Sequence, residues 1–141
     1  MNKRITAAQR NREVIDPILE RDPDARIIVM GDFNDGPNDE SIRIHLAQTD
    51  LYNPMSYLST RYQGSLNYRS EWFTFDQILM TNNFLRMYEN PLLYDRSEIF
   101  NDFFLTEYKG KFKGNPFRTY AGPRYLGGYS DHFPVYSIFK I

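Results

Sequence analysis

Three short clusters place a carboxylate or an amide at the end of an apolar run: Gly31-Asp32-Phe33-Asn34, Phe75-Asp76-Gln77-Ile78 and Ser130-Asp131-His132. Alone, each has an ordinary explanation. A Gly-Asp-x-Asn segment makes an Asx turn, an acidic residue in a strand sits in a buried ion pair, and an Asp-His pair at a strand start is a satisfied structural histidine. Together they supply the groups that attack of water on a phosphate ester requires. One carboxylate orients or deprotonates the water, an amide holds the transition-state oxygens, and an imidazole fixed by a second carboxylate handles protons and charge. Hard carboxylate oxygens also recruit magnesium or manganese.

Composition narrows the alternatives. The 141 residues are 41% hydrophobic and 25% charged, which fits one globular domain over residues 1–141 rather than two. With Lys+Arg 17 against Asp+Glu 18, the chain lacks the bulk positive field of a protein that coats nucleic acid. Any phosphate chemistry must therefore be local. Cys 0 excludes a disulfide framework, a thiolate zinc site, an iron-sulfur cluster and a cysteine nucleophile, and leaves the compartment open. Ile27-Ile28-Val29-Met30 is the longest obvious apolar stretch, far short of the ~20 residues that span a bilayer. The basic start lacks the apolar region of a signal peptide and reads like the middle of a helix.

The elements that must position the three clusters follow from periodicity. Ile5, Ala8, Ile15 and Leu19 lie along one helical face, widened by Val14 and Ile18, with a break or kink at Asp16-Pro17. Arg26 to Met30 is a continuous, partly β-branched run, the pattern of a strand buried on both faces. A helix capped by Asp39 should run through Leu46, with Ile42, Leu46 and Ala47 inward and His45 in a surface or packing role. Loops and short strands are expected from Thr49 to Trp72. Phe73 to Met80 alternates as a strand, with Gln77 and Leu79 on one face and Asp76, Ile78 and Met80 on the other. A charge inside such a strand costs free energy, so Asp76 should have a partner. Residues 95–130 read as a long loop, and Phe133 to Ile141 as a terminal strand. Most of the Tyr 11 and Phe 11 fall within apolar patterns and read as packing rather than base-stacking platforms.

The stretches Ile28 to Asp35, Phe75 to Leu79 and Gly128 to Val135 resemble, in their order, motifs of the endonuclease/exonuclease/phosphatase superfamily. That superfamily includes pancreatic-type deoxyribonucleases, apurinic-site endonucleases, neutral sphingomyelinases and inositol polyphosphate 5-phosphatases. The resemblance implies Asp32 as the water-activating or water-orienting carboxylate, Asn34 as the amide at the phosphate and His132 as the histidine at the phosphoryl group. Asp76 would hydrogen-bond that histidine, and Asp131 would lie near the attacking water and a Mg2+ or Mn2+ ion. The implied fold is α/β, a four-layer α/β sandwich with a mixed β-sheet and flanking helices, in domains roughly twice this length. By that comparison the chain carries only the C-terminal half, a partial domain whose metal site lacks the ligands of the N-terminal half. An exposed sheet face and edge would follow, and with them self-association.

From Asp95 to Ile141 seven Lys/Arg face five Asp/Glu, and Arg118 is a candidate substrate contact in this locally basic segment. The expected activity is metal-dependent hydrolysis of a phosphate ester, whether nucleic acid, inositol phosphate or phospholipid. The alternative is a catalytically incompetent module that binds a phosphate ligand or a protein partner. A third possibility is that the three clusters are coincidental in an unrelated α/β domain.

Overall fold

The computed structural model describes residues 3–86 and 92–141, so Met1 and Asn2, the expected helical start, lie outside the described residues. Helix α1 (Lys3–Arg21) runs without interruption through Pro17. Ala8 and Ile15 are buried on its inner face as expected, but so is Arg12, while Val14 is 64% exposed. Val14 is one position off the stripe, and the long aliphatic stem of Arg12 fills the turn between Ala8 and Ile15. The Arg12 head is neutralised by Asp16 and Asp50, each 2.5 Å away, and also donates to the Leu46 carbonyl at 3.3 Å. A buried cation is tolerable only with such partners.

Strand β1 (Ile28–Asp32) is followed by a π-helical turn, Ser41–Ala47, and then by the two-residue strand β2 (Leu51–Tyr52) and the short helix α2 (Met55–Leu58). Ile42, Leu46 and Ala47 point inward as expected. Asp39 is not the side-chain cap. Its carboxylate instead accepts the Gly36 N–H at 2.6 Å, closing the loop before the helix, and only its carbonyl takes the first helical donors. His45 is half-buried with Nε2 3.4 Å from Glu40.

Next come a hairpin, β3 (Leu66–Tyr68) and β4 (Glu71–Phe73), and strand β5 (Asp76–Thr81). The expected single strand from Phe73 is split by Thr74 and Phe75, which carry the chain from the hairpin into the central sheet. That sheet has the order β1-β5-β2, antiparallel throughout. Strand β5 is its centre and is covered on both faces. Leu79 packs with Ala8, Ile15, Ile42, Leu46 and Leu51 beneath α1, while Ile78 and Met80 pack with Met55 and Phe84 on the opposite side. The alternation read from the sequence is therefore correct for β5. The expectation that β1 is buried on both faces does not hold: β1 is an edge strand, with Ile28 43% and Met30 72% exposed. Its Val29 meets the helical layer, whereas the other face extends past the cover that Ile78 and Met80 receive.

Residues 95–99, expected in a loop, belong to strand β6 (Leu93–Ile99), because β9 (Val135–Lys140) offers it a pairing partner invisible to local pattern. A 3-10 turn, Phe103–Leu105, and the two-residue strands β7 (Tyr120–Ala121) and β8 (Arg124–Tyr125) break the rest of the expected loop. All pairings among the described strands are antiparallel, where the family resemblance implied a mixed sheet. The architecture is thus α/β, with small antiparallel sheets and few helices.

Charges bind β6 to β9 from outside. Lys140 lies 2.5 Å from Asp95, Arg96 reaches Asp95 and Glu98, and Tyr136 donates its hydroxyl proton to Glu98. The Tyr136 hydroxyl, followed by Arg96, holds the Glu98 carboxyl below its usual value, and Lys140 does the same for Asp95. A carboxylate lowered in the folded state stabilises it above the ordinary carboxylate range, and that contribution fades as pH falls through the lowered value. Glu98→Gln should therefore unfold at lower urea than the wild type at neutral pH. The gap in urea midpoints should narrow as the pH drops below the ordinary carboxylate range and close once it has passed the lowered value.

Candidate functional site

Antiparallel register sets Asp32, the last residue of β1, directly opposite Asp76, the first of β5. The Phe33 N–H donates to the Phe75 carbonyl at 2.8 Å, so the next pair inward, Asp32 and Asp76, is a non-hydrogen-bonded one. Side chains of such a pair share a face and approach closely, and two like charges there repel. The repulsion is relieved on one side: Asp76 Oδ2 is 2.7 Å from His132 Nδ1. An ionised carboxylate only accepts, so Nδ1 is assigned as the donor and Nε2 as the nitrogen available for chemistry. Both side chains are about one-fifth exposed, at 22% for Asp76 and 23% for His132.

Asp32 also organises the loop that follows it. Its Oδ1 accepts the Asn34 N–H at 2.9 Å, an Asx turn in which Asn34 takes the left-handed φ of 53° that asparagine tolerates. The loop is anchored from below by Gln77, fully buried, which donates to the Asp35 carbonyl at 2.6 Å and accepts from Asn53 at 2.7 Å. Asp35 itself takes the Ser41 hydroxyl at 2.5 Å and Arg4 at 3.1 Å. A cleft of about 380 Å3 opens beside Asp32 and Asn34.

His132 is delivered from the far end of the chain by Ser65, which nothing in the sequence singled out. Ser65 is fully buried; its carbonyl accepts the Phe133 N–H at 2.6 Å, and its hydroxyl accepts the Asp76 N–H at 3.3 Å. Leu66 forms a bridge with His132, and Trp72 stacks on buried Phe133 with ring centroids 6.1 Å apart. The preceding loop is set by the Phe117 carbonyl, which accepts the Tyr129 and Ser130 N–H groups at 2.7 and 3.3 Å. That contact explains Gly128: a Cβ there would stand 2.2 Å from the Phe117 oxygen.

The three clusters therefore meet, but not every candidate has the same standing. Asp32, Asp76 and His132 are contiguous, and Asn34 is held on the Asp32 carboxylate. Asp131 is exposed beside His132 and forms no ion pair with a described residue. Arg118 is half-buried at the wall of a separate cavity next to the Phe117 contact. No three His, Asp or Glu side chains converge as a metal site among the described residues.

A profile of the endonuclease/exonuclease/phosphatase family matches residues 1–140. The chain belongs to that family. The match covers both the helical N-terminal segment and all three clusters, so none of the three is an isolated coincidence in an unrelated fold. Neither a curated protein nor a solved structure matched the chain.

Gly128→Ala should move the 129–132 loop off the Phe117 carbonyl and cost about 1–3 kcal/mol, as overpacking does. The chemical shifts of the His132 ring should change with it, whereas those of Ile42 and Leu46 in the distant core should not.

Proposed function

We propose that the chain hydrolyses phosphate esters at the joint end of β1 and β5, with His132 held by Asp76 as the central group. The hydrogen bond between Asp76 and His132, beside an opposing Asp32, carries this reading. Family membership supports a hydrolase of phosphate esters as the general class. Asp32 orients the water and takes its proton as the oxygen attacks phosphorus. The ester P–O bond opposite breaks, and the leaving oxygen departs in line. His132 Nε2 faces the phosphoryl oxygens, where a protonated imidazole neutralises developing charge, and Asp76 acts through His132 as a positioning residue. The Asn34 amide donates to a non-bridging oxygen, and Arg118 contacts the substrate's charge.

A divalent cation, Mg2+ or Mn2+, accompanies this chemistry in the family resemblance, with Asp131 as its ligand. The described residues do not by themselves form a site for it, and none of the steps above passes through it. We read the chain further as part of a larger four-layer sandwich. The open edge of β1, with Ile28 and Met30 exposed, supports association there through sheet extension. The second reading is a module that binds phosphate ligands without turning them over.

Hydrolysis of bis(p-nitrophenyl) phosphate, with and without Mg2+, separates the two. The wild type should turn over, and His132→Ala should lose more than the ~100-fold typical of one acid-base group. Asp76→Asn should lower kcat with KM retained. Equal rates for wild type and His132→Ala would remove His132 from the chemistry. Saturable phosphate binding without turnover in the wild type would favour the binding module.

A further inference from the structure

A second cavity, of about 250 Å3, lies between the β3–β4 turn and residues 107–126. Its lining divides by chemistry. Arg69, Lys111 and Arg118 bring three cations against one carboxylate, Glu107, while Phe112 and Leu126 contribute apolar walls. None of these three cations makes an ion pair with a described carboxylate. Two of them are instead seated on rings: the Arg69 guanidinium is 5.2 Å from the Tyr68 centroid and the Lys111 ammonium 5.7 Å from that of Phe112. A cation on a ring face keeps most of its hydrogen-bond donors open to an anion.

The backbone presents Arg69 at some expense. Arg69 and Ser70 form the hairpin turn with φ of 52° and 70°, left-handed values that Asn and Gly usually fill. A two-residue hairpin loop requires such values, and they fix Arg69 at the edge of the cavity. The cavity is tied to the Asp76–His132 site through the backbone. Asn67 follows Leu66, the residue bridged to His132, and Arg118 follows Phe117, whose carbonyl holds the 129–130 turn.

We propose that this cavity is an anion subsite that binds a phosphate or phosphonate group carried on a flat apolar body. It deepens the hydrolase reading and rests on it in one respect: the substrate would carry a second anionic group beside the ester that reacts at His132. The charged end lies among Arg69, Lys111 and Arg118, and the apolar body lies against Phe112 and Leu126. An inorganic anion meets only the first half of this recognition.

Phenylphosphonate and methylphosphonate test both halves, because water does not cleave their carbon–phosphorus bonds. Their binding to the full chain is followed by NMR titration. Phenylphosphonate should bind about tenfold tighter than methylphosphonate, and the exposed-site double variant Arg69→Gln/Lys111→Gln should weaken it by about tenfold or more. Phe112→Ala should erase the preference for the phenyl ligand. Read from the shifts of Leu126 and Phe112 in the cavity, the phenylphosphonate affinity should be unchanged in His132→Ala, which separates this subsite from the reacting one. Equal affinity for the two ligands, unchanged affinity in the double variant, or loss of binding in His132→Ala would each overturn the proposal. Because the readout is binding, failure of the wild type to hydrolyse any ester would overturn the hydrolase reading and leave the subsite standing.

Discussion

Strand β5 is covered by apolar side chains on both faces along most of its length, yet begins with a carboxylate. That constraint governs the molecule. Leu79 on one side and Ile78 and Met80 on the other lock the strand against sliding, since a one-residue slip would exchange its faces. With the register fixed, Asp76 can sit only at the sheet's end, opposite Asp32. A partly buried carboxylate facing another carboxylate needs a donor, and His132 provides it.

The donor arrives from a distant part of the chain by backbone contacts rather than by side-chain packing alone. Ser65 joins Asp76 to Phe133 through its hydroxyl and its carbonyl. The neighbouring Gly64 allows this, because a Cβ there would stand 2.2 Å from the Phe73 oxygen, as one at Gly128 would from the Phe117 oxygen. Two close backbone passages thus bracket the histidine, and both exclude any larger residue. On the other side of the site, Gln77 uses the remaining buried face of β5 to hold the loop after Asp32. One strand therefore positions both carboxylates, one through its register and the other through its own first residue.

The polar groups outside the site have a different physical character. Arg12 is buried and neutralised by two carboxylates, so it connects α1 to the turn after Ala47. The Asp95, Arg96, Glu98 and Lys140 group is solvent-facing and screened, and it trims the β6–β9 pairing rather than creating it. The cations around the second cavity are neither: Arg69 and Lys111 have rings beside them, and none of the three, Arg118 included, makes an ion pair with a described carboxylate.

Local pattern made much of this legible. Period-two alternation separated Leu79 from Ile78 and Met80, helical spacing placed Ala8 and Ile15, and an acidic residue in an apolar strand called for a partner. These are properties of single segments, and burial of one face determines them. Pattern misled where the decisive neighbour is remote. The apolar run of β1 gave no sign that it is an edge, the buried Arg12 lies outside the apolar stripe that spacing picks out, and Asp95 to Ile99 looked like loop until β9 paired with it. The sequence by itself determined which groups are candidates for the chemistry and that Asp76 needed a partner. The family resemblance named His132 as that partner, and only the tertiary structure decided that Ser65 and Gly128 deliver it and that Arg69 and Lys111 share a cavity with Arg118. Those relations join residues tens of positions apart, and backbone proximity at that separation leaves no periodic trace in the chain.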